Sequence, residues 1–438
     1  VLRGNTQEVE ILTLEDCLRI GIDNNLSLEG KRKEIQKSKY GVSENRSKLL
    51  PQINAIAGYN NNFDPPVSVT DGSSYGVPYN ITKTLQHSAN AGLEMQMPLF
   101  NQTLYTSMSI AKVMEEISRL SYGKAREDVI LQISKMYYLG QVTAEQIMLI
   151  KANITRLEEL RDITQAFFDN GMSMEVDLKR VNINLENLKV QYDNAQAMMK
   201  QQLNMLKYIM DYPAEKEIAL TPVNTDSITT VALTGLSENI YELQLSQSQV
   251  QLAERQKKII ANGYIPSLSL TGSWRYAAYT DKGYHWFHSG PSNQWFRSYG
   301  VGLTLRIPIF DGLDKTYKIK KAMIDIENKR LAWEDARKNL QTQYLNAVND
   351  LMNNQRNFKK QKDNYLLAED VYAVTSDRYR EGIASMTEVL QDEMQMSEAQ
   401  NNYISAHYNY RVTNLMLLKL TGQIESLVKK YANNNHKY

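Results

Sequence analysis

Only a few residues of this 438-residue chain have the types and spacing that could support chemistry. His285 and His288, in the segment HWFH, could bind a metal ion. They lie in an aromatic stretch between two predicted strands, so an exposed recognition loop is the alternative role. None of the five histidines has an evident carboxylate partner, and the phosphate-binding loop, the HExxH zinc motif and the nucleophile elbow are absent from the sequence. The sequence therefore predicts a protein that is not an enzyme and holds no cofactor or metal.

The amino-acid composition excludes further classes of protein. Cys17 is the single cysteine, so no disulfide can form within the chain, and we expect this side chain to pack in a helix. The net charge is +1 with both signs interspersed, which gives no basic patch for nucleic acid. No run of 18 apolar residues exists, so no transmembrane helix is predicted. No signal peptide is visible, as expected for a processed exported protein or a shortened sequence.

The sequence contains an internal repeat of roughly 210 residues, which must be interpreted before any single element. The segment KLLPQINAIAGY around Pro51 is matched by GYIPSLSLTGSW around Pro266, and LEMQMPLF ending at Phe100 is matched by LTLRIPIF ending at Phe310. We predict a first repeat at 1–212, a linker at 213–235 and a second repeat at 236–438. Each repeat has a helix, a strand–loop–strand segment (51–98 and 265–308) and a helical hairpin with its turn at Gly171 or Gly382.

Four runs alternate between apolar and polar residues, as a strand with one apolar face does. They start near Ile53, Ala89, Leu268 and Tyr299 and are long enough to cross a bilayer at a tilt. Aromatic residues gather at their loop ends, and the polar faces carry charges that suit a water-filled lumen, namely Glu94, Arg275 and Arg306. A membrane barrel is therefore favoured over a sheet on a soluble core. Four strands cannot close a barrel, so several chains must share one.

The hairpins carry heptad repeats that are typical of coiled coils. One ladder comprises Leu178, Leu185, Tyr192, Met199 and Leu206, and the other comprises Val389, Met396, Tyr403, Tyr410 and Leu417. A helix over 101–168 would span about 100 Å. The shorter helices predicted at 13–48 and 173–210, and at 235–262 and 383–420, would match one long helix when stacked end to end. The sequence thus predicts a mixed α/β membrane protein with a barrel of long helices.

Several motifs resemble those of the TolC-like outer-membrane efflux proteins. They are PLF at Pro98–Phe100, PIFDG at Pro308–Gly312, the turn segment RYREGIASMTEVL and the N-terminal LTLEDCLRIGIDNNLSL. The resemblance covers essentially the whole chain. It departs at Leu26, where the family usually has proline.

The resemblance implies a homotrimer in the outer membrane of a Gram-negative bacterium. Three chains would share a 12-stranded barrel, and their helices would form a tunnel through the periplasm. Such proteins are passive exit ducts for an inner-membrane pump, of RND or ABC type, that is joined through a periplasmic adaptor. The expected partners are therefore outer-membrane lipid, the adaptor, the pump and two further copies of the chain, and nucleic acid is excluded.

The resemblance also assigns roles to residues. The hairpin turns would dock the adaptor through Gly171, Met172, Ser173, Gly382, Ile383, Ala384 and Ser385. A gate would be held shut by a bond from Tyr379 to Asp177, and a constricting ring maps to Glu388 and Gln391. The arginine that often assists is replaced by Ala384. Simple packing of Tyr379 and a solvated helix face for Glu388 are the alternatives. Pro98, Phe100, Pro308 and Phe310 mark the barrel ends.

Three functions stay open at this point. The leading one is an efflux duct for small toxic molecules, and the same architecture could serve one-step protein secretion. The lumen-facing residues do not distinguish these two. The third is a soluble coiled-coil scaffold in which the alternating runs form a small capping sheet.

Overall fold

The structure is a computed structural model that describes residues 9–222, 235–280 and 295–428. The histidine pair His285 and His288 lies outside these residues. Within them, no helix is both long enough and apolar enough to cross a membrane. The chain divides into two compact units, a helical one (Val1–Ile35, Ser118–Gln247, Leu331–Tyr438) and one that holds the main sheet (Gln36–Ile117, Ser248–Arg330). Each unit takes segments from both predicted repeats, whose boundaries remain a prediction.

Seven α-helices and eight strands make up the described chain. The helices are α1 (Leu14–Asn24), α2 (Leu26–Ser47), α3 (Gln102–Asp169), α4 (Glu175–Met210), α5 (Tyr241–Asn262), α6 (Asp314–Arg380) and α7 (Met386–Leu420). The strands are β1 (Glu10–Leu12), β2 (Gln52–Asn61), β3 (Val67–Asp71), β4 (Tyr79–Lys83), β5 (His87–Phe100), β6 (Ile218–Leu220), β7 (Ser267–Thr280) and β8 (Trp295–Arg306). The two very long helices, α3 with 68 residues and α6 with 67, follow from the absence of proline over both stretches.

The predicted single helix over 13–48 is wrong, because it breaks at Asn25. The backbone of Asn25 is not helical, and its side chain makes two hydrogen bonds. Its Nδ2 donates to the Ile209 carbonyl at the end of α4 (2.7 Å), and its Oδ1 accepts from the Leu28 amide (3.1 Å). Asn25 therefore caps α2 and ties the start of that helix to the end of α4.

A similar junction joins the end of α7 to the segment before α5. The Ser237 amide donates to the Leu420 carbonyl at 3.3 Å. The helix α5 begins at Tyr241, six residues later than predicted. Gly235, where it was predicted to begin, has a left-handed backbone with φ +91°. At both junctions a short helix starts close to where another ends, as the end-to-end stacking requires.

The predicted heptad ladders form the packed faces of α4 and α7. Of the α4 ladder, Leu185 and Leu206 are buried and the other three are half-buried, and all five members of the α7 ladder are buried. Burying an aliphatic side chain of this size contributes about 1.5–3 kcal/mol. The mixed composition of the ladder places several tyrosines in this core. Phe358 of α6, for example, stacks on Tyr403 and Tyr410 at ring-centroid distances of 5.8 and 5.7 Å.

A small parallel sheet that the sequence did not reveal joins β1 to β6, with Glu10 opposite Ile218 and Leu12 opposite Leu220. Cys17 of α1 belongs to the core of this helical unit. Burial raises the pKa of its thiol to about 12, which leaves it unreactive. The expectation of a cysteine that only packs is therefore confirmed.

The main sheet is antiparallel, in the order β2–β5–β7–β8. All four predicted strands are confirmed. A separate hairpin of β3 and β4 occupies the polar segment between β2 and β5, where the sequence suggested only a loop. Val67 and Val69 do alternate with Ser68 and Thr70 there, but both faces of this hairpin are largely exposed, so the alternation does not mark a buried face.

The strand register collects the alternating residues into rows on opposite faces. One row contains Leu93, Trp274 and Tyr299, and the next contains Asn54, Glu94, Ser273 and Gly300. A slip of one residue would exchange the two faces. The pairing therefore confirms that each strand contributes its apolar residues to a common face.

The two barrel-end signatures differ in conformation. Pro98 and Phe100 lie within β5, where the register against β7 shifts between them. Pro308 and Phe310 follow the end of β8, and the Phe310 side chain is largely exposed. The shared sequence thus marks the passage from strand to helix in both repeats, but it is paired with a neighbouring strand only in the first.

Candidate functional site: the hairpin turns and the open sheet

The two helical hairpins turn through the same backbone motif. After α3, the Gly171 amide donates to the Phe168 carbonyl (2.9 Å) and the Met172 amide to the Phe167 carbonyl (2.7 Å). After α6, Gly382 and Ile383 make the same pair of bonds, at 2.9 and 2.8 Å. Both glycines are left-handed, with φ +74° and +77°. This is the Schellman end of a helix, which glycine accommodates without strain.

The turns present apolar side chains to their surroundings. Met172 and Ile383 occupy equivalent positions directly after the two glycines, and both are about two-thirds exposed. Met174, at the start of α4, is equally exposed. Exposed apolar residues of this size at a turn suit contact with another protein.

The second turn continues into a capping box at the start of α7. The Glu388 amide donates to Ser385 Oγ (3.3 Å), and the Ser385 amide donates to Glu388 Oε2 (3.4 Å). Each of these bonds satisfies a backbone amide at the helix start. Ser385 and Glu388 thus have a structural task in the single chain, while Gln391, one turn along α7, is exposed.

Near their turns the two hairpins pack on each other around Tyr379. The Tyr379 ring is buried and lies 5.7 Å from the ring of Phe167. Its hydroxyl lies 3.2 Å from Oγ1 of Thr164, which in turn donates to the Leu160 carbonyl (2.7 Å). Tyr379 therefore joins α6 to α3, and a buried hydrogen bond of this kind contributes about 1 kcal/mol.

The resemblance predicted a bond from Tyr379 to Asp177, but in the structure the Tyr379 hydroxyl lies beside Thr164. Asp177 instead pairs with Arg180 at 3.3 Å, one turn along α4. Arg180 also donates to Thr387 Oγ1 of α7 at 3.2 Å. The structure therefore places Tyr379 and Asp177 in two separate contacts. The Tyr379 contact joins the two hairpins, whereas the Asp177 pair lies within α4 and its partner Arg180 makes the contact with α7.

Ion pairs add to the contact between the hairpins. Arg380 lies 3.5 Å from Glu159, and Arg156 lies 2.9 Å from Glu369. Arg156 also donates to Asn153 at 2.8 Å, close to the buried Glu393. Burial raises the pKa of Glu393, while the Arg156 charge opposes that rise. These pairs accompany a buried apolar cluster that contains Leu160 and Val181 of the first hairpin and Tyr379 and Val389 of the second.

The main sheet has one apolar face that is exposed. Along β8 the side chains of Tyr299, Val301, Leu303 and Leu305 are 60–79% exposed. Among the residues that the structure describes, each of the edge strands β2 and β8 is also hydrogen-bonded to only one neighbouring strand. On the opposite face Glu94 and Arg275 form an ion pair. An apolar face without cover beside a charged face suits lipid on one side and water on the other.

The conformation of Gly382 makes the second turn sensitive to substitution. Gly382→Val should destabilise the turn by about 1–2 kcal/mol, because a side chain at φ +77° is strained although the space around it is open. Hydrogen exchange at the Gly382 and Ile383 amides should then become about 5–30-fold faster. Gly30→Val is the matched control, since Gly30 lies inside α2 with nothing near its side-chain position. Equal protection in both variants would contradict the strained turn.

Duplicated helical hairpins and a sheet that exposes an apolar face define an outer-membrane channel fold. The family model for outer membrane efflux proteins matches residues 20–210 and 232–423, and the chain belongs to that family. It is accordingly an outer-membrane protein. The matched relatives are named as outer-membrane and efflux-pump proteins, not as enzymes.

Relatives of the chain include two proteins from different organisms. The outer membrane protein TolC of Vibrio cholerae is 21% identical over 399 residues, which cover 87% of this chain and 84% of TolC. The probable efflux pump outer membrane protein TtgC of Pseudomonas putida is 23% identical over 379 residues, which cover 82% of this chain and 75% of TtgC.

Solved structures share the fold. CusC aligns with a TM-score of 0.78 at 15% identity, covering 96% of this chain and 95% of that one. The open state of the Neisseria gonorrhoeae MtrE outer membrane channel aligns with a TM-score of 0.74 at 18% identity, covering 93% and 88%. At such low identity the likeness shows the fold alone.

Sequence reasoning missed the partners that hold the hairpins together, namely Glu159, Thr164, Arg180 and Thr387. Thr164 had a weak signal, because it is a small polar residue inside an otherwise apolar helix face near the turn. No sequence signal pointed to the charged residues, since their contacts join positions about 200 residues apart.

Proposed function

We propose that the chain is one subunit of a trimeric exit duct that conducts compounds passively across the outer membrane from an inner-membrane pump. The observation that carries this proposal is the four-stranded sheet, whose apolar face is exposed and whose edge strands lack a second partner in the described chain. Neighbouring copies would pair with both edges and close a 12-stranded barrel, which removes unpaired backbone groups from the bilayer.

Exposed heptads on α4 and α6 support assembly from several copies. The α6 stripe consists of positions spaced by seven residues or a multiple of seven, and all of them are 46–64% exposed: Tyr317, Ile324, Leu331, Leu345, Met352 and Leu366. On α4, Val176, Ile183 and Val190 are exposed at the same spacing. Apolar positions that repeat every seven residues pack against another helix. We propose that the α6 stripe of one copy packs on α4 of the next, which closes a ring.

The duct would be gated at the hairpin turns. In this proposal the contacts of Tyr379 with Thr164, of Arg380 with Glu159 and of Arg180 with Thr387 hold the two hairpins of a subunit together. Opening would separate them. Asp177 takes part through Arg180, and Glu388 and Gln391 would face the constriction as neighbouring copies approach.

The adaptor would dock on the turns themselves. Met172, Ser173 and Met174 in the first turn, and Ile383, Ala384 and Ser385 in the second, form two similar surfaces with exposed apolar side chains. Helical hairpins of a periplasmic adaptor could pack on both, because the two turns share one backbone motif. The pump, of RND or ABC type, would then supply the energy that this chain lacks.

We propose that the cargo consists of small compounds and not of secreted protein. This proposal is supported by the family match and by the P. putida relative, whose name describes an efflux pump. Deleting the gene should sensitise the host to toxic compounds if the proposal is right. Unchanged resistance together with loss of a secreted protein would favour the secretion alternative.

Purified protein in a planar lipid bilayer tests both the duct and its gate. The wild type should show a small, steady conductance. The double variant Tyr379→Phe, Arg380→Ala should conduct several-fold better, because it loses the hydroxyl bond to Thr164 and the pair with Glu159.

Arg330→Ala is the matched control for this experiment. It removes an ion pair with Glu254 (2.8 Å) from the same helix at a place distant in sequence from the turn. Its conductance should equal that of the wild type. An absence of channels in the wild type would contradict the duct, and equal conductance in all three proteins would contradict the gate.

A further inference from the structure

A cavity of about 1020 Å³ lies within the helical unit, away from the hairpin turns. Its walls come from the start of α1, the middle of α3, the start of α5, the end of α7 and the residues that follow α7. This volume is typical of pockets that hold drug-sized ligands. No role that the family resemblance assigns to a residue falls in it.

Glu127 of α3 is the unusual residue of the cavity wall. Its side chain is only 4% exposed and lines the cavity, and in the described part of the chain the carboxylate makes no hydrogen bond or ion pair, while its oxygens stay accessible from the cavity. Buried carboxylates are normally paired, because an isolated buried charge is strongly unfavourable. An unpaired carboxylate on a cavity wall is complementary to a cation that enters the cavity.

The cationic groups near Glu127 are engaged elsewhere. Lys419 of α7 lies 2.6 Å from Asp128, and Arg126 lies 2.9 Å from Glu425. Arg411 donates to His407 at 2.9 Å and lies 4.9 Å from the Tyr138 ring centre. Because each has another partner, they leave the Glu127 carboxylate without a direct counter-charge.

Acidic and aromatic groups surround the same space. Glu15 of α1 and Glu425 also line the cavity, together with the tyrosines Tyr137, Tyr138 and Tyr241. The Tyr241 ring packs flat against Gly123, where even a methyl group would come within 2.4 Å of the ring. Gly123 lies one turn before Glu127 on α3, so this glycine admits an aromatic ring beside the carboxylate. Aromatic faces next to carboxylates attract organic cations.

Burial raises the pKa of the Glu127 carboxyl to about 7, and the nearby Glu425 and Asp128 charges act in the same direction, against an opposing effect of Lys419. The group therefore changes charge close to neutral pH. A bound cation would favour the ionised form.

We propose that this cavity binds an organic ammonium ion, with the Glu127 carboxylate as counter-ion and the Tyr241 ring as part of an aromatic wall. The site is distinct from the duct and from the hairpin turns. Its ligand class is defined by a single positive charge carried on an apolar body, since the wall offers both acidic and aromatic groups. Binding in this cavity does not depend on which compounds the duct conducts.

Isothermal titration of the full-length protein in a neutral detergent tests the proposal, with benzyltrimethylammonium as the probe. We expect saturable binding of one ion per chain and much weaker binding of benzyl alcohol, which has the ring without the charge. Glu127→Gln should weaken binding at least tenfold, because it preserves the shape of the side chain and removes its charge. Tyr241→Leu should weaken it several-fold through loss of the ring.

Glu116→Gln is the control, because it makes the same change at an exposed position of α3, three turns before Glu127. It should bind as the wild type does. The pH dependence gives an independent readout: wild-type affinity should rise about tenfold from pH 6 to pH 8 as Glu127 ionises, whereas Glu127→Gln should show no such rise. Equal affinity of Glu127→Gln and wild type, or equal binding of benzyl alcohol, would overturn the proposal.

Discussion

Replacing Leu303 with arginine should prevent the chain from assembling in the outer membrane. Leu303 lies near the middle of β8 on the apolar face, and its side chain is 67% exposed in the single chain. An arginine that faces lipid in the middle of a bilayer destabilises a barrel by about 2–4 kcal/mol. Since three copies would share the barrel, the penalty would apply three times. Fractionation should show the variant depleted from the outer membrane, with degradation or aggregation instead.

Thr304→Arg is the matched control, because the next residue of the strand points to the opposite face. It introduces the same charge beside the polar row that contains Thr271 and Gln96. This variant should reach the membrane in normal amounts and change the conductance or ion preference of the duct. Equal membrane levels of the two variants would show that the faces have been assigned wrongly.

Replacing Leu345 with glutamate should convert the proposed trimer into single chains. Leu345 lies in the α6 stripe, 53% exposed in the single chain, and in our proposal it is buried against α4 of the next copy. An unpaired charge in such an interface is destabilising by about 3–5 kcal/mol, and a closed ring contains three of these interfaces. Size-exclusion chromatography with light scattering should show the mass of one chain in place of three.

Asn346→Glu provides the control for the trimer experiment. The neighbouring residue is rotated by about 100° around the helix, and Asn346 is an exposed polar residue outside the stripe. The variant should remain trimeric, because its new charge stays in water. A trimer that survives Leu345→Glu would contradict the use of the α6 stripe as an interface.

Periodicity made much of the fold predictable. The alternating runs around Leu93 and Leu303 specified strands because each has one face that must avoid water. The heptads through Leu185 and Met396 specified helices that pack along one stripe, and both residues are buried as expected. The glycines Gly171 and Gly382 marked the turns because only glycine adopts a left-handed backbone there without strain.

The polar contacts between the two helical hairpins could not be predicted as well from the sequence. The resemblance assigned Tyr379 a bond to Asp177, with simple packing as the alternative; in the structure the ring is buried and the hydroxyl bonds to Thr164. A hydrogen bond between distant segments depends on the relative rotation of two long helices. A rotation of a few tens of degrees exchanges one polar partner for another at almost no change in apolar burial, so the pattern of apolar residues does not encode it.

By itself, the sequence determined the duplication, the long helices, the four strands and the positions of the turns, because these features follow from local periods and from proline and glycine. The tertiary structure decided the break at Asn25, the small sheet of β1 and β6, the partners of Tyr379 and the unpaired state of Glu127. These depend on which polar groups from distant parts of the chain come within about 3 Å of one another. Apolar patterning sets which surfaces are buried, and only the packed chain determines how the buried polar groups are satisfied.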